Sequence, residues 1–185
     1  MEISGVVEIA RRAFGKNAFD GVLTMMGVVM GSFVVGIRDP AVIVIAGIST
    51  SIALGISGGW GAQLAESAER RLDIIELEKV MLAPMAETKI GCASRVAVWV
   101  VTAVDGLSPF LSAFFVVIPF FFTSILPSID YAYYASVGMA LVVLFLRGVY
   151  LAYIGHEDKV KLGTKTMIAG VVAIAISFGL ELLTP

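Results

Sequence analysis

The chain has 185 residues, of which 58% are hydrophobic and 15% are charged, and its mean hydropathy is +0.95. Soluble domains are about half apolar and a quarter charged, whereas several apolar runs here exceed the roughly 18 residues that span a bilayer. The sequence therefore predicts an all-α integral membrane protein with one bundle over the whole length. The net charge of −2 argues against a nucleic-acid partner. One cysteine and one histidine exclude an internal disulfide and a His-rich metal site.

The N-terminal residues 3–16 predict a short amphipathic helix that lies in the membrane surface. Apolar and charged side chains separate to opposite sides of this segment at helical spacing. A flanking tail with chance periodicity is the alternative. The first membrane span is predicted at about 18–37 and ends at the turn signal Arg38-Asp39-Pro40.

The first span carries an acid into its apolar stretch. At 100° per residue, an acid, a hydroxyl and two glycines share one helix face: Asp20, Thr24, Gly27 and Gly31. Two thioethers, Met26 and Met30, flank that face. An acid inside a bilayer costs roughly 2.5–3.5 kcal/mol and is by default a functional hypothesis. We therefore expect this face to meet a cation or another helix, not lipid, and assign these side chains to a metal path.

The second span is predicted at about 41–64 and carries small residues one turn apart at Gly47, Ser51, Gly55 and Gly59. Both Gly27/Gly31 and Gly55/Gly59 are G-x-x-x-G pairs, which let helix backbones approach closely in lipid. We expect these four glycines to serve helix packing.

The segment 65–94 is the only long polar stretch, and we predict that it begins as a cytoplasmic extension of the second helix to about Val80, which Pro84 ends. Acids three or four residues apart share a helix face and offer oxygen ligands to a divalent cation. The residues predicted to capture metal are Glu66, Glu69, Asp73, Glu76, Glu78 and Met81. A solvated helix face with salt bridges is the alternative interpretation.

The third span, about 96–126, contains Asp105 four residues before Pro109. Proline has no N–H, so the backbone carbonyl of Asp105 loses its helical hydrogen bond. Broken helices inside a bilayer expose carbonyls where they line a cavity, and ion sites use them. We therefore predict a second cation or proton site at Asp105. An ion pair with Arg147, the only basic residue within a span, is the alternative.

The last two spans are predicted at about 131–154 and 167–183, giving five in all. Basic residues concentrate in the N-terminal segment and in the second and fourth connections, whereas the other two connections together hold only Arg38. Basic residues mark the cytoplasmic side. This distribution predicts a multi-pass protein of the cell membrane with its N-terminus in the cytoplasm and its C-terminus outside.

The chain resembles the vacuolar iron transporter family. The resemblance rests on Asn17, on Asp20-Gly21-Val22 and on Gly27-Val28-Val29-Met30-Gly31. In the second span, small residues also match at Ala46-Gly47, Ala53, Ser57 and Gly61. This resemblance implies a five-span homodimer with a path near its axis, which exports Fe²⁺ or Mn²⁺ from the cytosol in exchange for protons. It also implies that Asp20 is the acid of the metal path.

Two positions depart from the family pattern. The family usually has Met after the serine that matches Ser57 and Glu after the glycine that matches Gly61, whereas this chain has Gly58 and Ala62. Met26, Met30 and Asp105 are candidates to supply the missing thioether and carboxylate.

Two functional hypotheses follow, and neither makes the protein an enzyme or gives it a resident cofactor. The first is a divalent-cation transporter, with the lipid bilayer, the metal ion and a second copy as its partners. The second is a non-transporting membrane interaction or assembly protein that keeps the fold, which Gly58 and Ala62 favour.

Overall fold

The computed structural model describes the backbone of residues 3–85 and 87–181, and the side chains of residues 11–85 and 87–179. Within these residues the protein is all-helical. The five helices are α1 (Ile3–Val34), α2 (Pro40–Met81), α3 (Lys89–Phe121), α4 (Ile129–Gly155) and α5 (Lys159–Glu181). All five are long and apolar enough to cross a membrane, which confirms the predicted fold class.

Local capping signals set the helix ends. α1 ends before Gly36, whose φ of +77° is readily accessible only to glycine. α2 begins with Pro40 in its first turn, and the Asp39 side chain accepts a hydrogen bond from the backbone N–H of Ala41 at 2.9 Å. Thr88 caps α3 in the same way through the N–H of Gly91. These caps satisfy backbone donors that a helix start would otherwise leave unpaired.

The helices differ from the predicted spans mainly in length. The N-terminal segment is helical, but it runs without a break into the first span, so it is not a separate helix. α5 begins at Lys159, eight residues before the predicted span, so the lysines assigned to the fourth connection lie on its first turns. The polar segment 65–94 consists of the end of α2, a turn and the start of α3.

α3 is continuous through Pro109 and Pro119, so it is not a broken helix of the kind considered for the site at Asp105. The backbone oxygen of Asp105, which loses its helical partner to Pro109, lies against α2, and neighbouring helices are one reason why membrane helices tolerate proline. The last turn of α3 ends at Phe121, five residues earlier than predicted.

α3 lies at the centre of the bundle and has its most extensive contacts with α2 and α1, while α5 packs mainly on α4. The core is apolar and includes Met25, Val116, Phe120 and Leu144, none more than 1% exposed. Buried hydroxyls bond to backbone carbonyls. Ser51, for example, donates to the carbonyl of Gly47 at 2.8 Å. Such bonds remove the cost of burying a polar group in a membrane bundle.

Candidate functional site

The predicted polar face of α1 is exposed in the single chain. Asp20, Thr24, Gly27 and Gly31 all lie on the outer surface of the bundle. A methyl group added at Gly27 or at Gly31 would meet nothing within 4 Å in the described structure. These two glycines therefore do not pack against another helix of the same chain, unlike the second glycine pair.

The thioethers of α1 lie on a different side of the helix. Met26 and Met30 are 1% and 5% exposed and belong to the hydrophobic core. The terminal methyl group of Met26 lies against Gly170 of α5. The structure therefore separates both methionines from the face that carries Asp20.

Asp105 of α3 faces the N-terminal part of α1. The side chain of Asn17, one turn before Asp20, forms a hydrogen bond with the Asp105 carboxylate. Lys16 and Glu66 also act electrostatically on this group. Oδ1 of Asp105 and Oγ1 of Thr102, one turn earlier, are buried and have no hydrogen-bond partner in the described part of the chain. A buried, unpaired oxygen is costly, and such atoms often mark a functional position.

Arg147 of α4 also contacts the N-terminal part of α1. Its Nε donates a hydrogen bond to the backbone carbonyl of Gly15, and its guanidinium lies 4.4 Å from the ring centre of Phe19. Its electrostatic partner is Asp20. The alternative that Arg147 pairs with Asp105 is therefore wrong, because the Arg147 side chain extends to α1 and not to α3.

The second glycine pair, Gly55 and Gly59, lies at a close contact between α2 and α3. A methyl group at Gly55 would lie 3.1 Å from Cβ of Phe110, and one at Gly59 would lie 3.5 Å from Cα of Gly106. Gly58 is tighter still, because its methyl group would lie 2.5 Å from the backbone oxygen of Asp105. This is the carbonyl that Pro109 leaves without a helical donor, so it faces the α2 backbone and not a cavity.

This contact explains one departure from the family pattern. No side chain fits at Gly58 while α2 and α3 keep this separation, so the methionine of the family pattern has no room here.

The predicted metal-capturing residues occupy different environments along α2. Glu66 is buried and accepts a hydrogen bond from Nε of Arg70 at 2.7 Å. Glu69, Asp73 and Glu76 line a shallow groove with Glu66. Glu78 accepts a hydrogen bond from the backbone N–H of Met85 at 2.8 Å and so closes the turn after α2. The remaining candidate, Met81, is exposed at the end of the helix.

Within the described residues, no three acid, cysteine or histidine side chains come together closely enough to hold a metal ion. The acids of α2 thus form a negatively charged surface and not a metal centre in one chain.

Sequence reasoning missed two members of the polar cluster around α1. In the sequence, Asn17 is only part of the family motif, and Lys16 is one of the basic residues of the N-terminal segment that indicate the cytoplasmic side. Helical spacing already places Asn17 three residues before Asp20 on a similar face. Only the packing of α3 against α1 shows that Asn17 also meets Asp105.

Comparison with known proteins agrees with this architecture. The sequence profile of the VIT family matches residues 72–181, which is more than half of the chain. The chain is also 33% identical over 172 residues to the uncharacterized protein MJ0645 of Methanocaldococcus jannaschii, covering 91% of this chain and 86% of that protein. The profile match lies wholly beyond the α1 motif that carries the resemblance in sequence, so the two observations come from different parts of the chain. With its five membrane-spanning helices, the chain belongs to the VIT family, the vacuolar iron transporters.

Proposed function

We propose that this protein exports a divalent cation, Fe²⁺ or Mn²⁺, from the cytosol in exchange for protons. Membership of the VIT family indicates membrane transport of metal ions. One observation supports the proposed path for the cation. The exposed acid Asp20 lies one helical turn from Asn17, and Asn17 forms a hydrogen bond with a second membrane acid, Asp105. Oδ1 of Asp105 is buried and has no hydrogen-bond partner within the described residues.

These two acids offer hard oxygen ligands, which suit Mn²⁺ and also bind Fe²⁺. Asp20 is the first ligand of the proposed path, and Asp105 is the second cation or proton site. A carboxylic acid in a low-dielectric surrounding holds a proton more readily than in water, so such a site can exchange a proton for a metal ion. The acidic groove of Glu66, Glu69, Asp73 and Glu76 would raise the local cation concentration at the cytoplasmic entrance.

The functional unit in this proposal is a homodimer. The α1 face with Asp20 and Thr24 is exposed, and so are the small residues Ala53, Ser57 and Gly61 of α2. Glycines and small residues on an exposed face allow close helix packing in lipid. A second copy placed on this surface would bring two Asp20 carboxylates to one shared path, which supplies ligands that a single chain lacks.

The dimer surface can be tested by cross-linking, because Cys92 is the only cysteine of the chain. In a Cys92→Ser background, Thr24→Cys should form a disulfide-linked dimer in membranes under oxidation. Leu146→Cys, on the exposed surface of α4, is the matched control and should remain monomeric. Equal cross-linking of both variants would contradict the proposed surface.

The transport function is tested by metal flux into proteoliposomes at two pH gradients, with Fe²⁺, Mn²⁺ and Co²⁺ compared. Asp20→Asn should abolish flux, and Asp105→Asn should lower it and change its dependence on the proton gradient. Glu157→Gln, which removes an exposed acid in the α4–α5 turn, should behave like the wild type. Full activity of Asp20→Asn would refute the proposal.

The second candidate is an interaction or assembly protein that does not transport. The lack of a three-ligand metal group among the described residues and the residues Gly58 and Ala62 favour it. Calorimetry separates the two functions, because the transporter should bind Fe²⁺, Mn²⁺ or Co²⁺ and lose this binding with Asp20→Asn. No heat of binding with any of these ions would favour the second candidate.

A further inference from the structure

A basic cavity lies between α2 and α3 at one end of their contact. It has a volume of about 300 Å³, and its lining includes Gln63, Arg71, Ser94, Arg95 and Trp99. Arg71 and Arg95 are exposed, and neither forms a salt bridge within the described residues; the Arg95 guanidinium donates a hydrogen bond to Sγ of Cys92 at 3.2 Å, which a phosphate oxygen would replace. Two guanidinium groups beside serine and glutamine side chains suit a phosphate group, because arginine binds phosphate oxygens through paired N–H donors.

This cavity lies at the membrane boundary on the side that its basic residues mark as cytoplasmic. The apolar part of α2 ends at about Leu64, and Arg95 is the last charged residue before the apolar run of α3. Trp99 lines the cavity and is 66% exposed. Tryptophan is enriched at the level of the lipid headgroups, and Arg95 lies about one helical turn from Trp99, so both are expected near the depth of lipid phosphates.

A second, apolar groove lies along the same α2–α3 contact. Its lining includes Ile52, Gly55, Ile56, Leu107 and Phe110, and it is almost free of polar surface. The groove begins at Gly59 and Thr102, about one helical turn from the nearest residues of the basic cavity, Gln63 and Trp99. Gly55, Gly59 and Gly106 line this groove without side chains that would fill it.

The length of the combined surface matches one lipid leaflet. Fifteen residues separate Arg95 from Phe110, which is about 22 Å along a helix at 1.5 Å per residue. Half of a bilayer with its headgroups is also about 20–22 Å thick. We infer that the α2–α3 groove binds one anionic phospholipid, with its phosphate at Arg71 and Arg95 and an acyl chain beside Ile56 and Leu107.

This lipid site is separate from the proposed dimer surface. Gly55 and Gly59 border the groove, whereas Ser57 and Gly61 belong to the proposed dimer face. Residues two positions apart on a helix are about 200° apart around its axis, so the glycine edge of the groove lies opposite Ser57 and Gly61, while Ile56 lies about 100° from Ser57. Lipid binding can therefore be measured whether or not the protein transports metal.

The test uses the two tryptophans of the chain, Trp60 and Trp99. With Trp60→Phe, Trp99 is the only tryptophan, and its fluorescence reports contact with brominated lipids. In mixed micelles, brominated phosphatidylglycerol should quench Trp99 at about thirtyfold lower mole fraction than brominated phosphatidylcholine. This ratio corresponds to about 2 kcal/mol, or roughly 1 kcal/mol for each arginine.

Arg71→Gln with Arg95→Gln should remove this preference while phosphatidylcholine still quenches Trp99, and an unchanged thermal unfolding midpoint by circular dichroism shows that the variant is folded. Arg11→Gln with Arg12→Gln is the matched control, because it removes two exposed positive charges of α1 and should keep the preference.

Four results would overturn the inference. They are equal quenching by the two lipids, an equal loss in the Arg11/Arg12 control, competition by millimolar inorganic phosphate, and protection of Trp99 from both lipids. The third result would assign the cavity to free phosphate, and the fourth would mean that another protein surface covers the groove.

Discussion

Replacing Gly58 with alanine tests the close contact between α2 and α3. The added methyl group would lie 2.5 Å from the backbone oxygen of Asp105, whereas unstrained carbon–oxygen contacts lie near 3.3–3.6 Å. The helices must therefore separate by roughly 1 Å at this point. Gly138 of α4 is the matched control, because a methyl group there would meet nothing within 4 Å.

The two substitutions should change stability in opposite directions. Alanine is favoured over glycine inside a helix by about 0.5–1 kcal/mol, and this gain applies at both positions. Overpacking costs about 1–3 kcal/mol and applies only at Gly58. The free energy of unfolding should therefore fall by up to about 2.5 kcal/mol for Gly58→Ala and rise by about 0.5–1 kcal/mol for Gly138→Ala.

Thermal unfolding in detergent, followed by circular dichroism, measures both effects. At about 2–4 °C per kcal/mol for a protein of this size, Gly58→Ala should lower the midpoint by up to about 10 °C. Gly58→Met, which introduces the residue typical of the family, should lower it further and should not restore metal selectivity. If Gly58→Ala and Gly138→Ala are equally stabilising, the described α2–α3 separation is wrong.

Two further predictions concern charged side chains. Arg147→Gln should lower the KM for the transported cation about fivefold, because removing a positive charge near Asp20 takes away roughly 1 kcal/mol of repulsion. Flux measurements check this, and Arg147→Lys, which keeps the charge, should retain the wild-type KM; an unchanged KM in the glutamine variant would contradict the role of the charge. Arg38→Gln breaks the ion pair between Arg38 and Asp130, whose side chains are 56% and 42% exposed. Because exposed ion pairs contribute little to stability, the unfolding midpoint should fall by less than about 4 °C. A larger fall would mean that this pair is shielded from solvent, as a dimer contact would do.

The number of helices and the shared face of α1 that carries Asp20 were predictable from the sequence. Length and apolar composition require membrane spans, because a backbone in lipid must satisfy its own hydrogen bonds. Helical spacing also placed Asp20, Thr24, Gly27 and Gly31 on one face, and the structure shows all four exposed. These properties are local, since they depend only on residues within one helix.

The inner and outer faces of each helix were decided only by the tertiary structure. In a soluble protein the apolar face identifies the core, but in a bilayer the lipid-facing and protein-facing sides are both apolar. The sequence pattern therefore could not show that Met26 and Met30 point into the core. It also could not show that Arg147 reaches Asp20, or that the Asp105 carbonyl fills the space beside Gly58. Each of these contacts joins residues far apart in the chain, and packing between helices brings them together.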